Sequence, residues 1–235
     1  MSRSGLALPH PTLGRTRRAR ATAAAVAALV VALALLAAFH PPWVVEDINS
    51  RGTGSAVAGS ANLSPEKYVN AIWASKLLPT VKERAVDLPT LLADLKRDPE
   101  AASKKYGHYA VTDAPPAFLV KGSGRVVSVD TTALVSKAGI VFGSGAKPGV
   151  FMQLPPIFSG TDVRDALPFI SFNQFVNQVQ FGEVAIAINA KIAQTSFAKV
   201  NVDGLKGKRI SFTGAFTRSK DAAPLLTPIT IQVGK

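Results

Sequence analysis

FLVKGSGRVVSVDTT, residues 118–132, decides the fold. Apolar residues alternate around Val126, Val127 and Val129, the period of a strand. AGIVFGSG (138–145) and GVFMQLPPI (149–157) predict two more strands, with turn chemistry in the Lys147-Pro148-Gly149 between them. RISFTGAFTRS (209–219) and PITIQVGK (228–235) predict a fourth and a fifth. Residues 161–198 separate the two groups and carry a long helical pattern. Phe172, Phe175, Val176 and Val179, then Val184, Ile188 and Ile192, supply its apolar faces, and Ser171-x-x-Gln174 resembles a capping box. Three strands, a helix, then two strands is the order of an OB-fold, a small Greek-key barrel whose helix is expected to plug one end.

Upstream the period changes to that of helices. Ser64-Pro65-Glu66 is a helix start, and Tyr68, Val69, Ile72, Trp73, Leu77 and Val81 follow at helical spacing. Pro79 predicts a kink or break. Asp87 is placed to cap a second helix bearing Leu88, Leu91, Leu92 and Leu95, and Asp98-Pro99-Glu100 starts a third that ends near Gly107. The Trp73 stripe reads as packing against a core. The class is therefore α+β, with a helical part over 64–117 and an OB-like five-stranded barrel over 118–235.

The first 63 residues read differently. Residues 1–20 hold Arg3, Arg15, Arg17, Arg18 and Arg20 and no acid, a basic cytoplasmic tail. Residues 21–39, ATAAAVAALVVALALLAAF, carry no charge, Gly or Pro. As a helix they would reach about 28 Å, near the hydrocarbon thickness of about 30 Å. The positive-inside rule keeps the arginines in the cytoplasm and puts the rest of the chain outside. The stretch is long for a signal-peptide core and ends without a good cleavage site, so it reads as a single-pass transmembrane helix held in the bilayer. Residues 40–63 follow as a flexible linker, rich in Gly, Ser and Ala over most of their length.

Composition removes several classes of chemistry. The 235 residues include no cysteine and only three histidines, His10, His40 and His108. Disulfides, thiolate metal sites and cysteine nucleophiles are excluded, no cofactor is expected, and His108 stands alone in the domain. The glycine-rich GSGR (122–125) and GSGAKPG (143–149) lack the GxxxxGK[ST] pattern of a phosphate loop and read as hairpin turns or bulges. The formal charge of +12 suggests nucleic acid, but the phenylalanines lie on apolar faces and the domain is expected outside the cell's cytoplasm. No nucleic acid is expected; attraction to anionic lipid is the simpler use of the charge.

The densest polar group is Asp162, Arg164, Asp165, Asn173, Asn177 and Gln178. Arg164 could grip a carboxylate or phosphate, and the amides could bind sugar hydroxyls or a partner's backbone. The alternative is internal: Arg164 pairs with a neighbouring acid and the amides tie loops. No nucleophile, base and orienting group assemble from the sequence, so an enzyme is not expected.

YVNAIWASKLLPTVKERAVDL (68–88), KYG (105–107), GRVVSVDT (124–131), GTDVRDALPFISFNQFVNQVQF (160–181), AINAKI (187–192), GKRISFTGAF (207–216) and LTPITIQV (226–233) together resemble a bacterial family. It is the predicted periplasmic lipoprotein family known as domain of unknown function 2291. The resemblance implies an extracytoplasmic domain and, because such genes often stand beside sugar ABC-transporter genes, an accessory role with transporter components as partners. It brings no activity and no catalytic residue. With no cysteine to acylate, the transmembrane helix would replace the lipid. On this reading the chain pellets with bacterial inner membranes, and protease added to spheroplasts removes a C-terminal epitope tag; a tag protected until the membrane is opened would reverse the topology.

Overall fold

The computed structural model describes residues 64–111, 114–219 and 222–234, all within the unit Gly52–Lys235. The stretch expected to span the membrane, 21–39, lies outside the described residues, as do the tail and the linker. Among the described residues no helix is long and apolar enough to cross a membrane.

The helical part forms as its caps require. Ser64 accepts from the Lys67 N–H at 3.3 Å at the start of α1 (Pro65–Ile72). The break predicted at Pro79 comes a turn early. Trp73–Leu77 form a π-turn in which the Leu78 N–H reaches the Trp73 carbonyl, and α2 (Leu78–Arg84) takes Pro79 into its first turn. In an unbroken α-helix the Pro79 ring would strike the Ser75 carbonyl, and the wider turn accommodates it. Val86–Asp87 form a two-residue strand, β1. Asp87 then caps α3 (Leu88–Arg97), accepting from the Thr90 N–H at 3.1 Å. Asp98 caps α4 (Pro99–Tyr106) through the N–H groups of Glu100 and Ala101. Trp73, Leu77, Val81, Leu88 and Leu91 all enter the core, as the helical spacing predicts.

The barrel strands are β2 (Ala117–Asp130), β3 (Lys137–Val141), β4 (Val150–Gln153), β5 (Arg209–Thr217) and β6 (Leu225–Val233). They close in the order β2-β3-β4-β6-β5 and back to β2. Only β4 and β6 run parallel within this ring. This is the expected OB arrangement. β1 adds in parallel beside Val120 and Lys121, tying the helical part to the barrel's longest strand.

One glycine segment differs from its expected place. GSGR is neither a hairpin turn nor a bulge: it lies inside β2, and the register slips later, between Val126 and Ser128. β2 pairs with β5 from Ala117 to Arg125 and with β3 from Arg125 onward, so Gly124 sits where the strand changes partners. A Cβ there would stand 2.5 Å from Ile140 Cγ2 and 2.8 Å from the Val141 carbonyl. The second segment, GSGAKPG, is the turn expected, with Gly143 at φ +72°. β6 starts three residues earlier than its pattern suggests and contains Pro228, which cannot donate to a ladder. The ladder irregularity opposite it, between Thr213 and Gly214, absorbs that loss.

Two α-helices precede the fourth barrel strand: the four-residue α5 (Asp162–Asp165) and the 19-residue α6 (Gln178–Ser196). Ser171-x-x-Gln174 does not start the long helix. It closes a single 3₁₀ turn, with Gln174 Oε1 accepting from the Ser171 N–H at 3.1 Å. α6 starts later, where Asn177 Oδ1 accepts from the Gln180 N–H at 2.9 Å. Its buried face, Phe181, Val184, Ile188 and Ile192, packs between α1 and β6. The four-residue α5 lies against β2, β5 and β6, and α6 reaches β6.

Gly124→Ala is expected to cost about 1–3 kcal/mol, because the new methyl meets a side chain and a backbone oxygen that have no room to yield. Ser123→Ala, one residue away and exposed, should leave the urea midpoint almost unchanged.

Candidate functional site

Barrel closure brings α5 against three strands, and its polar residues meet groups far away in sequence. Asp162 Oδ1 accepts from the Thr217 N–H at 3.1 Å, and Oδ2 accepts from Thr227 Oγ1 at 3.2 Å. Thr227 Oγ1 in turn accepts from Gln153 Nε2 at 2.9 Å. Gln153 also donates to the Ser159 carbonyl and accepts from the Ser159 N–H at 2.7 Å. Gln153 and Thr227 are both 1% exposed. The chain of bonds thus runs from β4 through β6 to α5 and β5. Burial pushes the Asp162 carboxyl above its ordinary value, and the two hydrogen bonds it accepts oppose the shift.

Arg164 and Asp165 form a second group. Arg164 is 8% exposed. Its Nε donates to Asp165 Oδ1 at 2.8 Å, its second terminal nitrogen stands 2.6 Å from the same oxygen, and Nη1 donates to the Phe181 carbonyl at 3.0 Å. The guanidinium carbon lies 3.7 Å from the centre of the Phe181 ring. Thr161 Oγ1 donates to the other Asp165 oxygen. His108, which looks isolated in the sequence, joins here: its Nδ1 lies 2.6 Å from the Asp165 backbone carbonyl. A carbonyl only accepts, so Nδ1 carries the proton. Arg164 therefore clamps α5 to the first turn of α6, as its internal alternative expects.

The amides of the sequence-derived cluster lie apart from this group. Asn177 caps α6. Asn173 and Gln178 are exposed, beside Phe172, Val176 and Val179, which are 41%, 45% and 68% exposed. Phe172 stacks edge-on against Phe181, and Phe175 links Phe181 to Tyr68 of α1. The segment 171–181 thus has a buried aromatic side and an outward side of apolar and amide groups. Ile186, 69% exposed, continues that outward face along α6. A shallow depression of about 220 Å³ lies beside it, lined by Pro156, Ile157, Phe158, Ile186, Asn189 and Ala190. Among the described residues no three acidic or histidine side chains are grouped to hold a metal ion.

Residues 29–232 match the family described as "Predicted periplasmic lipoprotein (DUF2291)". The chain belongs to that family. Its main domain is accordingly extracytoplasmic, as the resemblance implies, although the sequence holds no cysteine for a lipid. The crystal structure of an OB-fold protein from Thermotoga maritima is similar to it, with 20% identity and a TM-score of 0.59. That likeness covers 73% of this chain and 99% of the other, and it shows the fold alone. No curated protein matches the chain.

His108, Gln153, Thr217 and Thr227 are the cluster members that sequence reasoning missed. No local spacing signals them, because closure of the barrel is what assembles them around residues 162–165.

Asp162→Ala leaves the Thr217 N–H and the Thr227 hydroxyl without their acceptor and should lower stability by about 1–3 kcal/mol. The pH dependence has a definite sign. A carboxyl raised in the folded state binds more protons folded than unfolded, so its contribution to stability grows as pH falls from neutral through the raised value and levels off below the ordinary one. Urea unfolding of wild type and Asp162→Asn across that range should show this contribution only in wild type.

Proposed function

We propose that this chain is a non-enzymatic binding protein, held at the outer face of the cytoplasmic membrane by residues 21–39. Its partner would be a protein, an ABC-transporter component being the class that the family resemblance suggests. The outward side of 171–181 and α6 would make the contact. One observation carries this reading: Phe172, Val176, Val179 and Ile186 stay exposed while the polar groups beneath them bond internally. An apolar strip edged by Asn173 and Gln178 has the chemistry of a protein interface, with area for burial and amides for a partner's backbone. Asp162, Arg164 and Asp165 would hold that strip in position and would not touch the partner.

A small-ligand or carbohydrate-binding module is the second reading. The exposed Phe172 ring beside the Asn173 amide favours it, since sugar faces stack on aromatics and sugar hydroxyls bond amides.

A photo-crosslinking residue in place of Phe172 or Val179 in the full chain separates the two. Capture in living cells of one membrane-transport or solute-binding protein, lost in Ile186→Lys, supports the accessory reading. No protein adduct, together with sugar binding by the purified chain that Phe172→Ala abolishes, would replace it with the ligand module.

A further inference from the structure

The barrel wall opposite in character to the α6 face is basic. Antiparallel partners share a face, and side chains alternate along each strand. The pairs Lys121 with Thr213, Ser123 with Ser211 and Arg125 with Arg209 therefore point to one side. Lys121, Ser123, Arg125, Arg209 and Ser211 are all exposed, so that side is the outer one. β6 extends it with Thr230 and Gln232. Along β2, β5 and β6 these residues are cations, hydroxyls or an amide; the neighbouring acid is Asp87 of β1, in register with Lys121, and its carboxylate is engaged in capping α3.

Two features mark the wall as more than a solvated surface. Arg125 and Arg209 stand directly across from one another, a pairing of like charges that costs the sheet stability. The ion pairs among the described residues are Arg97–Asp94 and Arg164–Asp165, so neither arginine is neutralised there. Asp203, in the one-turn helix before β5, makes no ion pair with them.

The layout selects the ligand. Lys121 and Arg125, four residues apart on one strand, are separated by about 13 Å, whereas the arginine pair is about 5 Å apart. Cations spread over such a wall meet many phosphates in a plane better than one phosphate at a point. A nucleic acid strand would want rings to stack on, and the wall has none. We infer that the outer wall of β2, β5 and β6 rests on anionic phospholipid headgroups. This rests on the extracytoplasmic tether of the previous section, which brings the domain to a lipid surface. Contact there would leave the α6 strip, a separate surface, to the partner.

The full chain in lipid nanodiscs tests it. Because the protein is free of cysteine, Ser211→Cys takes one fluorophore on the wall. Discs of phosphatidylcholine are compared with discs that also hold phosphatidylglycerol, each with a headgroup-attached quencher. Quenching should rise in the anionic discs and vanish near 1 M salt, where charges are screened within about 3 Å. Adding Arg125→Gln and Arg209→Gln should remove most of the rise without lowering the melting temperature. Equal quenching in both discs, or a rise that survives both substitutions, overturns the lipid-facing wall. A chain that inserts into neutral discs yet shows no anionic rise refutes the wall alone and leaves the tether standing. Release from anionic discs by a single-stranded oligonucleotide, but not by heparin of equal charge, would reassign the wall to nucleic acid.

Discussion

β2 must serve two neighbours at once. Its first half pairs with β5 and its second half with β3, and the change of partner at Arg125 is what shuts the sheet into a barrel. The change needs a backbone that can press against Ile140 and the Val141 carbonyl, which is why a residue without a side chain stands at 124. Much else depends on that strand. β1 docks on its first half and draws the helical part onto the barrel. The stacked Phe118 and Phe216, both essentially buried, fill the core between β2 and β5. The cationic wall exists because β2 and β5 hold Arg125 and Arg209 in register.

The second constraint is polar. A closed barrel leaves the ends of β4, β5 and β6 with groups that must be satisfied away from water. Asp162 meets two of them and Gln153 meets others, so the one-turn α5 is held by hydrogen bonds as well as by packing. Arg164 then carries the same rigidity outward to α6 through Asp165 and the Phe181 carbonyl. No buried side-chain nitrogen or oxygen among the described residues lacks a partner. Groups committed in this way are poor candidates for gripping a ligand, since each bond to a ligand would first break one that supports the fold.

That economy shapes the surfaces. Asp162, Arg164 and Asp165 bond inward, while the outer side of 171–181 carries apolar side chains beside the amides of Asn173 and Gln178. On the β2–β5 wall the pattern is reversed, with cations outside and Ile210 and Phe212 inside. The domain therefore has two chemically different faces, one apolar with amides at its edge and one cationic.

Local chemistry wrote much of this into the chain. The helix caps at Ser64, Asp87 and Asp98, the strand periods and the order of three strands, a helix and two strands all follow from nearest neighbours, whose physics acts over a few residues. The strand order could be anticipated for that reason. Other features are products of contacts between distant residues. Gly122 and Gly124 look like turn glycines until two partner strands crowd them. Ser171 and Gln174 make a good cap, yet the helix waits for Asn177. His108 and Asp165 stand 57 positions apart and meet only in the folded domain. Arg125 and Arg209 become a pair only through register. Spacing along a chain encodes which elements form; which side chains end up facing one another is set by closure, where burial and hydrogen-bond satisfaction act on all the strands together.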